Sequence, residues 1–549
     1  MSVLHRNRPA QRAADRGESS VGARGGAAAQ ARCVPRRRRL ARDSRFSAAG
    51  LAARLRRSDD RARLVARLLA AAHRHWQDDT QRDGLGALLF PRLLHTLSSA
   101  VASLAGDAQC RLGDVLPGLA SALAAAETAW LEAIDLHPDA ARGAAQWCER
   151  GRTVALQHLG RSIVASGGQP LAAPGAPLRS DEIVWGRSPA RLDLCGGWTD
   201  TPPYALEFGG CVLNAAVNLN GQPPIQVFAR VIDEPLVRVT SIDRGTRLEI
   251  ARLEDLLNFR NLDQESSLVK AALTLSGLVQ SCDDASPAAL ARQLTASCGG
   301  GIELTTLAAI PKGSGLGTSS IMGAVVLAVL DRVAGRSLDT ADLFHRVLRL
   351  EQALTTGGGW QDQIGGVIDG VKLITTTPGT VPDPEIQFIP ADALDPSRND
   401  GCTLLYYTGL TRLAKNILQR VVGRCLDRDR AAMRSLRSLR ALAPQAAAAM
   451  ARRDLEAFGH FVDAAWQLNK QLDPDSSNAA IESLLARVGP HIHGGKLLGA
   501  GGGGFLLLIC KTPADAAAVR KLLDADPPNP RARFFQFHVN HEGMRITAC

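Results

Sequence analysis

The amino-acid sequence predicts an α+β fold of two lobes, preceded by a helical accessory domain and a disordered basic arm. Three observations support this organisation. Between 46 and 165, apolar residues recur at helical spacing and no strand pattern interrupts them. After 180, short β-rich runs alternate with helices. The first 45 residues have almost no apolar periodicity. The predicted boundaries are an arm at 1–45, a helical domain at 46–165, a Pro/Gly linker at 166–180, an N-terminal lobe at 181–380 and a C-terminal lobe at 381–549.

The net positive charge of the chain belongs to its arm. Residues 1–45 hold 12 arginines and 3 acidic residues, whereas the rest of the chain holds 52 basic and 51 acidic residues. An arm of this composition, with a run of four arginines at 36–39, buries too little apolar surface to offset the entropy of ordering. It also lacks aromatic residues between its arginines. We therefore expect a disordered extension, or an over-called start of translation, rather than a nucleic-acid-binding tail.

The composition of the whole chain favours a well-packed protein of the cytoplasm. Apolar residues make up 45% of the sequence and charged residues 21%, which allows a substantial core. Each long apolar stretch is broken by a charge or a glycine, and the N-terminus has no apolar leader, so neither a membrane helix nor a secretory signal is expected. The eleven cysteines form no C-x-x-C pair, which favours reduced thiols over a zinc site.

The helical domain shows no catalytic pattern of its own. The runs 64–69 and 119–123 place apolar residues three and four positions apart, as amphipathic helices do. His73 and His75 lie two positions apart and point to different helix faces, which favours solvated histidines over a metal pair. We expect an accessory domain without chemistry.

Strands and helices alternate in the body that follows. The β-rich runs lie at 182–185, 212–217, 225–231, 236–241, 302–307, 370–376 and 402–407, and the helical runs at 320–334, 340–354, 411–426 and 476–488. About 370 residues of this mixed pattern are sufficient for two lobes with a cleft between them.

The strongest functional signal is a glycine-rich turn between a predicted strand and a predicted helix. Its residues are Pro311, Lys312, Gly313, Ser314, Gly315, Leu316, Gly317, Thr318, Ser319 and Ser320. Glycines let the backbone approach an anion, and the free N–H groups and dipole of the following helix attract phosphate oxygens. The hydroxyls add hydrogen-bond donors or Mg²⁺ ligands. The turn matches neither the Walker A loop nor the dinucleotide fingerprint, which disfavours dinucleotide binding.

A second segment presents a carboxylate on a rigid turn. The sequence Gly-Gly-Trp-Thr-Asp-Thr-Pro-Pro at 196–203 follows a β-rich run, and its prolines stiffen the turn that carries Asp200. A carboxylate held in this way suits hydrogen bonds from neighbouring sugar hydroxyls, with Trp198 or Tyr204 as an apolar wall. Read alone, the segment fits an ordinary turn equally well.

Two more glycine-rich segments lie further along the chain. Glu351 lies near the end of a predicted helix, the glycines at 357–359 break that helix, and Asp362 begins the next segment. A helix-borne carboxylate suits Mg²⁺ and a nearby loop carboxylate suits a proton acceptor, although a surface turn between helices would carry the same residues. The glycines at 499–504 precede a buried strand and could lie against a bound substrate or phosphates.

Taken in order, these segments resemble the GHMP small-molecule kinases, the family of galactokinase, homoserine kinase and mevalonate kinase. Motif one of the family corresponds to 189–204, its phosphate loop to 311–320 and its motif three to 498–505. Phe505 departs from the pattern, because many relatives have a small residue or a cysteine there.

Within the family, the segments 196–204 and 212–224 look most like the L-fucokinase branch, the kinase half of bifunctional fucokinase/fucose-1-phosphate guanylyltransferases. The resemblance covers about 181–549. The 180 residues before it are too few and too helical to hold a nucleotidyltransferase half.

The resemblance implies roles for residues of motif one and of the segment after 357–359. Asp362 would accept or orient the proton of the attacking hydroxyl, and Arg191 would stabilise charge on the transferred phosphoryl group. Asp200 would bind sugar hydroxyls, with Trp198 and Thr199 beside it.

The resemblance also implies where the nucleotide and the metal bind. ATP would lie along 311–320. Mg²⁺ would be held by Ser319, with Thr318, and by Glu351. Arg412 and Lys415 fall in a strand-to-helix element of the sugar-1-kinase branch, and no role is assigned to them.

The function implied is that of an ATP- and Mg²⁺-dependent sugar 1-kinase whose partners are ATP and a sugar, with L-fucose as the expected sugar. Two alternatives stay open. A heptose 7-phosphate 1-kinase would need more basic residues in the sugar pocket than Arg191. A non-catalytic sugar or nucleotide sensor on the same fold would have no need of Glu351 and Asp362, and both are present.

Overall fold

A computed structural model of the chain describes residues 46–77, 88–106, 109–166, 171, 178–179, 181–259, 266–282, 286, 288–311, 313–354, 357–381, 383–410 and 414–549. The predictions for the arm, for Lys312, for Arg412 and for the side chain of Lys415 lie outside what is described. Most of the predicted linker does as well.

The first part of the described chain is built of helices, as the apolar spacing predicts. They are α1 (Ala48–Arg56), α2 (Arg61–Gln77), α3 (Leu89–Ala105), α4 (Leu112–Val115), α5 (Leu119–Ala122), α6 (Ala125–Ala133) and α7 (Ala144–Ala165). They bury a core of their own, with Leu69, Phe90 and Trp147 inside. The expectation of a solvated His73 is wrong, because His73 is buried and stacks on Trp130 with ring centroids 4.8 Å apart.

Fifteen strands make up the sheets of the described chain. They are β1 (Val184–Ser188), β2 (Ala190–Cys195), β3 (Cys211–Leu219), β4 (Ile225–Ile232), β5 (Val237–Ser241), β6 (Thr246–Ile250), β7 (Gly301–Ala308), β8 (Val371–Thr376), β9 (Pro384–Ile389), β10 (Thr403–Tyr407), β11 (Ile492–Leu497), β12 (Phe505–Cys510), β13 (Arg533–Phe535), β14 (Phe537–Val539) and β15 (Arg545–Ala548). One sheet has the order β15-β1-β4-β7-β5-β6, a second β11-β12-β10-β13, and a third β14-β3-β8-β9 with β2 also paired to β3.

Helices alternate with these strands. They are α8 (Tyr204–Phe208), α9 (Leu253–Leu257), α10 (Ser267–Leu275), α11 (Ala289–Cys298), α12 (Thr318–Val333), α13 (Thr340–Ala353), α14 (Gln361–Val367), α15 (Ala414–Leu426), α16 (Arg430–Ala451), α17 (Leu455–Leu472), α18 (Ala479–Val488) and α19 (Pro513–Ala525), with 3₁₀ turns at Pro474–Ser476 and Gly489–His491. No helix in the described part of the chain is both long and apolar enough to cross a membrane.

The mixed helices and sheets confirm the predicted α+β class. Helix α12 is almost wholly buried and packs on β1 and β4 of the six-stranded sheet, so its N-terminus is fixed in space by a large apolar interface. The end of the chain returns to the first sheets, because β14 pairs with β3 and β15 pairs with β1. The division at 380/381 therefore stays a prediction.

The helical region docks onto the body through one mixed apolar and polar seam. Its apolar part, which we call the seam cluster, consists of Leu88, Leu159, Ile163, Leu206, Leu348, Val422 and Leu426. Beside it, Nδ1 of His95 in α3 lies 2.8 Å from Oδ1 of Asp427, and the hydroxyl of Thr96 donates to the carbonyl of Leu426. Arg428, which follows Asp427 in sequence, forms a buried ion pair with Glu207 of α8.

Candidate active site

The predicted motif residues meet at one cavity of about 1090 Å³. Its wall includes Arg191 from β2, Asp200 from the turn after β2, the glycine-rich turn before α12, Glu351 from α13 and Asp362 from α14. Segments separated by more than 300 residues in sequence therefore form a single site, with Gly499 from the last glycine-rich segment also on its wall.

Two of the glycine-rich segments pack directly against each other. Gly313, Gly315 and Gly317 have positive φ angles of 68°, 76° and 76°. A Cβ added at Gly315 would lie 2.1 Å from the carbonyl oxygen of Leu498, so a side chain cannot be accommodated there. The carbonyl of Ser314 accepts a hydrogen bond of 3.0 Å from the backbone N–H of Phe505. The segment 498–505 thus supports the turn rather than standing apart from it.

The N-terminus of α12 opens at the cavity. Gly317 is its N-cap residue and supplies no side-chain cap, so first-turn N–H groups of the helix stay available. Thr318, Ser319 and Ser320 all line the cavity, and the Thr318 hydroxyl lies 3.2 Å from that of Ser314. Helix dipole, free N–H groups and hydroxyls converge on one point, which is the arrangement that binds phosphate oxygens.

Arg191 and Asp362 form an ion pair at the floor of the cavity. Nε and Nη2 of Arg191 lie 2.8 Å and 2.7 Å from Oδ1 of Asp362, and Nη1 donates to the carbonyl of Gly315 at 2.7 Å. The side chain of Arg191 is 4% exposed and that of Asp362 is 25% exposed. Burial alone would lower the pKa of Arg191, but attraction to Asp362 and Asp193 raises it above its ordinary value.

The glycine-rich turn before α12 lies against this ion pair. A Cβ placed on Gly317 would be 3.1 Å from Cγ of Arg191 and 3.2 Å from Cβ of Asp362. The carboxylate of Asp362 therefore lies beside the first turn of α12.

Glu351 pairs with a hydroxyl of the first turn of α12. The Ser320 hydroxyl donates to Oε1 of Glu351 at 2.9 Å, and both side chains are buried. Ser319, the predicted metal ligand, is exposed and lines the cavity one position earlier. A carboxylate and neighbouring hydroxyls are the hard oxygen ligands that Mg²⁺ accepts, so the residues present fit this ion.

Asp200 is buried and held by a residue that sequence reasoning missed. The backbone N–H of Gln361 donates to Oδ2 of Asp200 at 3.3 Å, and the side-chain amide of Gln361 donates to Oδ1 at 3.0 Å. Burial, and then repulsion from Asp362, raises the pKa of Asp200 to about 7. A Cβ on Gly359 would lie 2.0 Å from Oδ2 of Asp200, so the glycine run at 357–359 is what lets this loop pass the carboxylate.

Trp198 and Thr199 were both predicted to contact the sugar, but only Trp198 lies on the cavity wall. Trp198 lines the cavity beside Asp200. Thr199 is wholly buried, and its hydroxyl accepts a hydrogen bond from the N–H of Cys211 and lies 2.7 Å from the carbonyl of Gly196. The hydroxyl of Thr199 thus braces the turn internally, and we assign it no direct contact with substrate.

A buried ion pair next to the cavity was also missed. Nζ of Lys496 in β11 lies 2.7 Å from Oδ2 of Asp193 in β2, and both side chains are at most 3% exposed. Asp193 lies on the cavity wall, and it adds to the positive shift of the Arg191 pKa. The sequence does show an aspartate inside an apolar strand, which indicates a buried partner. That partner could not be identified from the sequence because it lies 303 residues away.

The matches to known protein families decide the assignment. Residues 285–370 match the GHMP kinases N terminal domain, and residues 446–526 match the GHMP kinases C terminal domain. The chain belongs to the GHMP kinase family. The two matched domains contain the turn before α12, the Glu351 and Asp362 carboxylates, and the glycine-rich segment that supports the turn.

Two curated relatives of this GHMP kinase are bifunctional proteins. The chain is 41% identical over 376 residues to L-fucokinase/L-fucose-1-P guanylyltransferase of Bacteroides fragilis, covering 68% of this chain and 40% of that protein. It is 36% identical over 341 residues to bifunctional fucokinase/GDP-fucose pyrophosphorylase of Arabidopsis thaliana, covering 61% of this chain and 30% of that protein. The chain thus spans less than half the length of either relative.

A solved structure has the same fold as this GHMP kinase. Galactokinase of Lactococcus lactis, determined with galactose, superposes with a TM-score of 0.50 at 18% identity, covering 67% of this chain and 95% of that one. At this identity the likeness concerns the fold alone. It confirms the predicted GHMP kinase fold for the body of the chain.

Proposed function

We propose that this chain is an ATP-dependent sugar 1-kinase that phosphorylates L-fucose at its anomeric hydroxyl. The observation that carries the proposal is the position of Asp362. Its carboxylate lies beside the anion-binding turn before α12 and is paired with Arg191, which itself bonds the backbone of that turn at Gly315. An acceptor for a proton and a site for phosphate thus lie side by side. The 41% identity to the L-fucokinase of Bacteroides fragilis supports the choice of sugar.

The geometry suits an in-line transfer. The terminal phosphates of ATP would lie against the first-turn N–H groups of α12, and the anomeric hydroxyl would approach Asp362. The hydrogen bond from Nε and the ion-pair contact from Nη2 of Arg191 both go to Oδ1, which leaves Oδ2 as the oxygen to receive the hydroxyl proton. As the sugar oxygen bonds to the γ-phosphorus, the bond from that phosphorus to the bridging oxygen breaks and ADP leaves. Such a proton acceptor typically contributes about 10²- to 10⁴-fold in rate.

Arg191 has two tasks in this scheme. Its guanidinium orients Asp362, and its positive charge lies next to the turn that would hold the transferred phosphoryl group. Because the side chain is almost completely withdrawn from solvent, this charge is poorly screened and acts strongly on its neighbours.

Glu351 and Ser320, with Ser319 beside them, would hold Mg²⁺ at the start of α12. When bound, the ion would neutralise charge on the β- and γ-phosphate oxygens. Glu351 and the hydroxyls would contribute the oxygen ligands, and burial restricts the movement of the Glu351 side chain.

Asp200 and Trp198 would bind the sugar. The carboxylate of Asp200 suits two adjacent hydroxyls, and the indole of Trp198 offers an apolar surface that suits the methyl group of a deoxyhexose. Location in the cytoplasm stays a prediction, since nothing in the fold bears on it.

ADP release with a panel of sugars tests this proposal. We expect turnover with L-fucose and slower turnover with D-arabinose, whose pyranose ring has the same hydroxyls without the methyl group. Galactose and heptose 7-phosphate are the competing substrates. Preference for heptose 7-phosphate would replace L-fucose by the alternative sugar. Calorimetric binding of L-fucose without ADP release from any sugar would indicate a sensor and refute the kinase assignment.

A further inference from the structure

We propose that Gln361 is a positioning residue that holds the sugar-binding carboxylate of Asp200 in register with Asp362. The inference rests on the proposed function and adds a residue to it. Gln361 precedes Asp362 directly in sequence, so one helix turn would carry both the proton acceptor and the residue that positions the sugar-binding carboxylate.

Gln361 engages both oxygens of the Asp200 carboxylate. Its side-chain Nε2 donates to Oδ1 at 3.0 Å, and its backbone N–H donates to Oδ2 at 3.3 Å. Two donors from one residue fix both the position and the rotation of a carboxylate, which a single hydrogen bond would not. Any shift of α14 that moves Asp362 would therefore move Asp200 with it.

The surroundings of Gln361 leave this pair little freedom. The Gln361 side chain is buried on the cavity wall, and its backbone carbonyl accepts a hydrogen bond of 3.2 Å from Nδ2 of Asn214 in β3. Later in the same helix, a Cβ on Gly365 would lie 2.8 Å from that amide nitrogen and 2.9 Å from Cβ of Arg191. Helix α14 thus packs closely against β2 and β3, and the hydrogen bonds from Gln361 hold Asp200 in a fixed position relative to this helix.

The charges around Asp200 make these donors important. Two carboxylates, Asp362 and Asp193, act against its ionised form, and it is wholly buried. Asp200 is one of the carboxylates that raise the pKa of Arg191, but the hydrogen bonds of Arg191 go to Asp362 and to the Gly315 carbonyl. The backbone N–H of Gln361 opposes the rise in the pKa of Asp200, and the side-chain amide is a second donor to the same carboxylate, which also favours its ionised form. Removing the side-chain donor should therefore favour the protonated carboxyl, which accepts fewer hydrogen bonds from a sugar.

The test compares Gln361→Met with Gln363→Met. Gln363 is the matched control, because it lies on the same helix, is wholly buried, and neither polar atom of its side chain has a partner among the described residues. For Gln361→Met we expect the KM for L-fucose to rise about tenfold to a hundredfold, as for loss of a hydrogen bond to a charged group. The KM for ATP should not change, and the acid limb of kcat/KM for the sugar should move to higher pH. Gln363→Met should behave as the wild type in all three measurements.

The pH dependence of sugar affinity in Gln361→Glu distinguishes an electrostatic effect on Asp200 from a merely structural role of Gln361. A carboxylate at this position repels Asp200 at pH 8, whereas a protonated carboxyl can donate to it as the glutamine does. We expect this variant to lose sugar affinity at pH 8 and to recover part of it at pH 6. It also keeps the proposal testable if the methionine variant fails to fold.

The outcomes separate this inference from the proposed function. ADP release by the wild-type enzyme tests the proposed function alone and is measured first. If no sugar is turned over, carboxyl NMR of Asp200 in the wild type and in Gln361→Met still tests the positioning role, through the titration midpoint. The inference is overturned by an unchanged sugar KM and acid limb in Gln361→Met, by an equal effect in Gln363→Met, or by an unmoved Asp200 titration.

Discussion

Arg191 and Asp362 lie on different elements, 171 residues apart in sequence, and are joined at one carboxylate oxygen by a hydrogen bond of 2.8 Å from Nε and an ion-pair contact of 2.7 Å from Nη2. The third guanidinium nitrogen donates to the carbonyl of Gly315, in the turn proposed to bind phosphate. Strand β2, helix α14 and the turn before α12 therefore meet at a single side chain. Any change at Arg191 should act on both the proton acceptor and the phosphate site.

Asp362→Asn should remove turnover and keep ATP binding. The amide cannot accept the hydroxyl proton, so we expect kcat to fall about 10²- to 10⁴-fold. Calorimetry with a non-hydrolysable ATP analogue should give an affinity close to that of the wild type. Asp369→Asn is the control, because Asp369 lies on the same segment but not on the cavity wall. A fully active Asp362→Asn enzyme would contradict the assignment.

Arg191→Lys should impair the enzyme although the charge is kept. An ammonium cannot reach Asp362 and the carbonyl of Gly315 with the planar, forked geometry of a guanidinium. We expect kcat/KM to fall more than tenfold and the free energy of unfolding to decrease by about 1.5–3 kcal/mol, the usual contribution of hydrogen bonds to charged groups. Steady-state kinetics and urea denaturation measure the two effects. Wild-type kinetics would show that charge alone is sufficient.

Glu351→Gln should raise the Mg²⁺ concentration required for activity. The amide is a weaker ligand for a hard cation than a carboxylate, so half-maximal activity should need at least about tenfold more Mg²⁺. Ser319→Ala and Ser320→Ala then identify the hydroxyl that acts with Glu351. Because Ser320 bonds Glu351 directly, we expect the larger effect from Ser320→Ala. The opposite order would favour Ser319, as predicted from sequence.

Asp200 should make the protein less stable as the pH rises toward neutrality. Its pKa in the folded state is raised to about 7 from 3.8, so the folded state binds more protons than the unfolded state between these values. The free energy of unfolding therefore falls as the pH rises through this window, by up to about 4 kcal/mol at about 1.4 kcal/mol per pKa unit.

Asp200→Asn removes this dependence and serves as its test. Melting temperatures of the wild type and the variant, measured from pH 4 to pH 8, should diverge as the pH rises, with the variant the less sensitive. The sugar KM of the variant should rise at the same time. Parallel curves would show that Asp200 does not titrate in this window.

The sequence was most informative where local pattern determines structure. The strand, glycine turn and helix around 311–320 were predicted, and the structure has β7 followed by α12 there. The helix carrying Glu351 was predicted at 340–354 and is observed at Thr340–Ala353. Helices α16 and α17 were not predicted.

The parts of the site that the sequence did not predict depend on tertiary contacts. Gln361 acquires its position only when α14 approaches the turn that carries Asp200, and Asp193 meets Lys496 only when β11 reaches β2. Thr199 was expected at the sugar because its motif neighbours lie there. Its hydroxyl is used inside the turn instead, and no local pattern distinguishes these two uses.

The contacts between the helical region and the body limit where the chain can be shortened. A fragment beginning at β1 would keep every proposed catalytic group, yet it would expose Leu206, Leu348, Val422 and Leu426 to water. The same cut would remove His95 from Asp427. The neighbouring Arg428 pairs with Glu207 of α8, the helix that follows the proposed sugar-binding turn. The helical region thus covers an apolar face of the body, and the shortest stable enzyme should include the segments that carry Leu88, His95, Leu159 and Ile163.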